Sequence, residues 1–157
     1  MTLPEDRFEL DGASLEAWCD RQGYTYQAAD GQLIVEYAVL GLPAPLVVLP
    51  QLDRGMVMLL MRQPYAVPAA RFVAVTQAAT TLNARSFMGA WVLNDEKAEL
   101  YFRVTLVALD TRYSDDSLLH AARVVVGTSE LAAPALRAIA LDGAEPGPTL
   151  AAFQPGR

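Results

Sequence analysis

Six consecutive apolar residues, Met56-Val57-Met58-Leu59-Leu60-Met61, stand between Arg54 and Arg62. A run this short, opened by the turn signal Asp53-Arg54-Gly55, reads as a β-strand joined by a hairpin to the apolar segment Leu46 to Leu49. Successive side chains on a strand point to opposite faces. Met56, Met58 and Leu60 therefore share one side, and Val57, Leu59 and Met61 share the other. A chain carrying such a strand must either cover both sides or leave an apolar sheet face open. If both are covered, both sets are core. If helices cover one face alone, one set is left as an adaptable surface for a second copy or another protein; the candidate interaction residues are Met56, Met58 and Leu60, with Arg54 and Arg62 as a polar rim.

The flanking sequence supplies the remaining layers. Ser14 reads as the N-cap of a helix over 14–22, whose apolar side is Leu15, Trp18 and Cys19 and whose C-terminal cap is Gly23. Tyr24 to Ala28 and the segment from Gln32 read as strands around the turn Ala29-Asp30-Gly31. In the second of these Leu33, Val35, Tyr37 and Val39 alternate with polar neighbours. Past Pro64 and Pro68, apolar residues recur at helical spacing over 69–85. A hairpin of 88–94 and 98–107 follows, with Leu100, Phe102, Val104 and Leu106 on one face and Tyr101, Arg103 and Thr105 on the other, wetter one. Ser114 opens a last helix carrying Leu118, Ala122, Val125, Ser129, Ala132, Leu136 and Ile139 in register. Pro134 is expected to kink or restart it. The order helix, three or four strands, helix, two strands, helix predicts an α+β fold with a mostly antiparallel sheet and helices packed on it.

Three stretches are expected: an acidic arm over 1–12, a single domain over 13–141, and a disordered Pro/Gly-rich tail over 142–157. The 157 residues carry 12 basic and 18 acidic side chains, a net charge of −6, and Lys97 is the lone lysine. That balance argues against nucleic acid or an anionic membrane as partner. The most apolar stretch, Ala38 to Leu49, is broken by Gly41, Pro43 and Pro45. With no secretory pattern in the first ten residues, the expected compartment is the cytoplasm.

No residues assemble into recognisable chemistry. One cysteine and one histidine do not make the usual zinc sets, and no metal or cofactor is expected. His120 falls off the apolar side of its helix, Cys19 reads as a buried structural thiol, and Asp115 with Asp116 favours the positive end of a helix dipole. The chain is therefore read as non-enzymatic. The competing reading is a small-ligand sensor or small enzyme with a pocket between helices and sheet, lined by Tyr37, Tyr101, Arg103 and Thr105.

The stretch LNARSFMGAWVLNDEKAELYFRVTLVALDTRYSDDSL resembles the YbjN family of small bacterial proteins. Its pattern is a helix ending in Leu82-Asn83, a small-residue turn through Ala90, a strand ending in Leu93-Asn94, a strand with Leu100 and Arg103, and a helix capped by Ser114. Gly23-Tyr24-Thr25-Tyr26 and Gln32 to Tyr37 fit the family's opening, and Pro134-Ala135-Leu136 fits its close. The resemblance implies a fold like that of type III secretion chaperones, a homodimer, and a regulatory role in binding an unidentified protein or peptide. One departure is Asp95-Glu96-Lys97-Ala98, which lacks the glycine with which the family often turns; the Pro-rich 41–50 segment is another.

Overall fold

The computed structural model describes residues 7–9, 11–108, 110 and 112–153. Strand β1 (Arg7–Glu9) precedes helix α1 (Gly12–Gln22). Then come β2 (Tyr26–Ala29), β3 (Gln32–Val35), the two-residue strands β4 (Ala38–Val39) and β5 (Leu42–Pro43), β6 (Leu46–Gln51) and the long β7 (Met56–Ala66). Helix α2 (Phe72–Asn83) separates these from β8 (Ala90–Asn94) and β9 (Glu99–Val107). Strand β10 (Arg112–Ser114) enters α3 (Asp115–Leu141), and α4 (Pro146–Ala151) follows. Six strands form one sheet in the order β2-β3-β6-β7-β9-β8, each pair antiparallel. This is the α+β architecture that the order of elements predicts.

The core lies between that sheet and the helices. Val57, Leu59 and Met61 from β7 and Leu100, Phe102 and Val104 from β9 pack in one cluster with Leu15 and Trp18 of α1, Val75 and Leu82 of α2, and Leu118, Val125 and Leu136 of α3. Helix α3 is long and apolar enough to cross a membrane by length and composition. Its apolar side faces this core instead: Leu118, Ala121, Val125, Ala132, Leu136 and Ile139 are buried.

Local chemistry sets the boundaries. Ser114 caps α3 as expected, its side chain accepting from the Ser117 amide at 3.1 Å. Gly23 ends α1 in the left-handed region, φ 70°. The cap of α1 is Asp11, not Ser14: its carboxylate accepts from the Ser14 amide at 2.7 Å, and the helix begins at Gly12. Both residue types are good caps, and the earlier one wins because a carboxylate there also meets the helix dipole. The alternating segment from Gln32 stops as a strand at Val35, and α3 continues through Pro134 as one helix.

The described parts of the terminal stretches, which exclude residues 154–157 of the tail, are more ordered than their composition implies. Within the acidic arm, Arg7–Glu9 pairs with Arg112–Ser114; residues 1–6 and 10 lie outside the described residues. The Pro/Gly-rich tail contains α4, a correction to the expectation of disorder. Proline is tolerated in a helix's first turn, where Pro146 stands, and Leu150 is buried in the core. Arginines fix the segment: Arg71 donates to the carbonyls of Ile139 and Ala144, and Arg85 Nη1 to those of Leu150 and Phe153.

Candidate functional site: the outer face of the sheet

Strand parity divides β7 cleanly. Val57, Leu59 and Met61 turn inward and are fully buried, while Met56, Met58, Leu60 and Arg62 turn outward. The register places Met56 opposite Val107, Met58 opposite Thr105, Leu60 opposite Arg103 and Arg62 opposite Tyr101 on β9. On the other side Leu60 faces Val47 and Met58 faces Leu49 of β6. The interaction set Met56, Met58, Leu60 and Arg62 and the pocket set Tyr101, Arg103 and Thr105, read from sequence as rivals, thus occupy one surface.

That surface has its own apolar centre. Leu60 is 7% and Val47 5% exposed, yet neither belongs to the core cluster under the helices. On the outer face Val47 lies between Ile34 and Leu60, and Leu60 between Val47 and Arg103. Met56, Met58, Leu49 and Ile34 around them are half-buried, and Val107 is 61% exposed. Two residues that the sequence gives no reason to single out, Val47 and Ile34, are part of this centre. The signal available for them was parity: Leu33 and Val35 turn inward, so Ile34 must turn outward.

Polar groups border the patch. Arg62 Nε donates to Glu99 Oε2 at 3.2 Å. Arg54 is exposed in the 3₁₀ turn Leu52–Arg54 that leads into β7. Gly55, left-handed at φ 60°, completes that turn, and its carbonyl accepts from the Tyr113 hydroxyl at 2.6 Å. The hairpin is thereby tied to the strand that enters α3.

The expected pocket between helices and sheet does not assemble from its four residues. Tyr101, Arg103 and Thr105 point away from the helices because they share the odd-numbered face of β9. Tyr37 lies past the end of β3, its ring 6.2 Å from that of Tyr24, which in turn meets Trp18 at 5.6 Å. Burial, reinforced by Tyr37, pushes the Tyr24 phenol up to about 12. Both contacts are edge-on aromatic packing.

The other side chains singled out from the sequence lie apart from this face. Cys19 is fully buried, and burial with the charges of Asp20 and Glu16 pushes its thiol up to about 12. Thiolate chemistry is thereby suppressed. His120 is exposed on α3. Asp115 accepts two 2.7 Å hydrogen bonds from Arg21, joining α1 to the start of α3. No group of three or more potential metal ligands occurs among the described residues.

Comparison with known proteins agrees with this architecture. The YbjN family, described as "Putative bacterial sensory transduction regulator", matches residues 11–138. The crystal structure of YbjN from E. coli, "a putative transcription regulator", is similar at a TM-score of 0.59 and 14% identity, covering 80% of this chain and 89% of that one. A comparison with curated proteins found no match.

Proposed function

The chain belongs to the YbjN family, and on that premise we propose that it is a regulatory, non-enzymatic binding module that works as a homodimer through the outer face of its sheet. The observation that carries the reading is the second apolar centre, Val47 with Leu60, on a face that α1, α2 and α3 leave uncovered. Two such sheets can stack face to face about 10 Å apart with strands roughly 30° from parallel. A two-fold contact of that kind is self-complementary, apolar centre on apolar centre. The Arg62–Glu99 pair then stands at its rim, where ion pairs cost little desolvation, while Arg103, opposite Leu60, lies beside the apolar centre.

Regulation by association requires no catalytic group, which suits a protein whose cysteine is buried and whose histidine is solvent-facing. The apolar side of α3 packs into the core and is not offered to a bilayer, and the reading takes the cytoplasm as the compartment. Met58→Glu tests it. A glutamate on the half-buried outer side leaves the core untouched but buries a charge if two sheets meet there. By light scattering across a dilution series, wild type is expected to be a dimer. Met58→Glu is expected to be a folded species associating at least about tenfold more weakly. A wild type that stays monomeric, or a folded variant that dimerises equally well, would overturn the reading.

A further inference from the structure

On the opposite side of the molecule a cleft of about 430 Å³ opens between α2, α3 and the chain after α4. Leu82 of α2, Trp91 and Phe102 of the sheet, Val124 and Leu131 of α3, and Phe153 form its apolar walls. This size and lining match those of small-molecule sites.

The lining of the cleft includes an exposed residue that local structure does not explain. Gly127 lies in the interior of the 27-residue helix α3, where glycine is the poorest choice short of proline. Its φ is not positive, and a Cβ built there would meet nothing within 4 Å. Neither backbone geometry nor close packing demands glycine. What its missing side chain leaves is space in the cleft.

The charge around the cleft is one-sided. Arg85 and Arg123 line it, and no acidic residue does so among the described residues, in a protein whose net charge is −6. Arg85 uses Nη1 to hold the carbonyls of Leu150 and Phe153, so it builds the wall. Arg123 is exposed on α3. Its guanidinium stands at the border of the apolar slot, and its charge also reaches the Tyr24 phenol.

We propose that this cleft binds an amphipathic monocarboxylate, a medium-chain fatty acid, with its chain along Gly127 and Trp91 and its carboxylate on Arg123. The site is independent of the dimer face. Calorimetric titration with decanoate, kept below its micelle concentration, tests it. Trp91 fluorescence gives a second readout from inside the cleft. Wild type is expected to bind one equivalent saturably, and Met58→Glu is expected to bind equally well. Gly127→Leu, a favourable change in a helix, is expected to melt no lower than wild type and to abolish binding. Arg123→Gln is expected to weaken it roughly fivefold, as for an exposed ion pair. No binding by wild type, or undiminished binding by folded Gly127→Leu, would overturn the site. Decanol binding as tightly as decanoate would overturn its anionic character.

Discussion

Asn83 and Trp91 exchange two hydrogen bonds: the Asn83 side chain accepts from the Trp91 amide at 2.7 Å and donates to the Trp91 carbonyl at 3.0 Å. The last residue of α2 thereby acts as a one-residue strand along the free edge of β8. An uncovered edge is a template for pairing with another chain. Here it is closed at Trp91 by Asn83, while the Gly89 carbonyl accepts from the Ser86 hydroxyl. This closure favours association through the face of the sheet over strand addition at β8.

Asn83→Ala removes both bonds and leaves two backbone groups of a half-buried edge without their protein partner. It is expected to lower unfolding stability by about 2 kcal/mol. Asn83→Asp retains the acceptor but loses the donor and is expected to fall between the two. Urea titration followed by circular dichroism measures both.

Gly89 is required by space as well as by conformation. At φ 84° its added Cβ would lie 2.6 Å from the Arg103 carbonyl oxygen and 2.6 Å from Phe102 Cζ. Gly89→Ala must displace β8 from β9, and we expect a loss of about 3 kcal/mol, read as a lower urea midpoint.

Ala98 presents the opposite case. It occupies the left-handed region, φ 55°, in the turn between β8 and β9. An L-residue with a Cβ pays strain there that glycine avoids. Ala98→Gly is expected to stabilise the protein by roughly 0.5 kcal/mol, the relief of strain exceeding glycine's greater loss of freedom on folding. A higher urea midpoint with an unchanged slope is the expected result.

The Arg21–Asp115 pair carries a pH signature. Hydrogen bonds from Arg21 hold the Asp115 carboxyl below its ordinary value of 3.8. A depressed carboxylate contributes stability that is fully present above the unfolded pKa and is lost as pH falls through the folded one. The stability difference between wild type and Asp115→Asn is therefore expected to be constant above about pH 5 and to close below about pH 4. The Arg21 side chain is 48% exposed, so the difference is about 1 kcal/mol or less.

Periodicity made the main elements legible, because apolar side chains at spacing two or near three and a half must face one core. Parity within Met56 to Met61 also separated the inward from the outward set. Which set stayed uncovered depended on all the helices packing on one side, a long-range fact that no local pattern carries. The rival pocket failed for the same reason: Arg103 and Thr105 share a face with Met58, and only the register between β7 and β9 shows it. Helix α4 was hidden because Pro146 and Gly147 suggest disorder, whereas Leu150 and two arginines anchor it. Asn83 and Gly127 were visible as residue types, yet their roles come from what lies across space. For Gly127, a glycine inside an otherwise regular helical run was the available signal.

Spin labelling at Thr105 tests the central claim most directly. Thr105 is exposed on the outer face opposite Met58, and Cys19 is fully buried, so Thr105→Cys can be labelled selectively. If two copies meet through this face, sheets about 10 Å apart bring the two labels within roughly 20 Å, and pulsed dipolar spectroscopy should show that distance. A dimer whose labels show no interaction at such range would place the contact elsewhere and contradict the account.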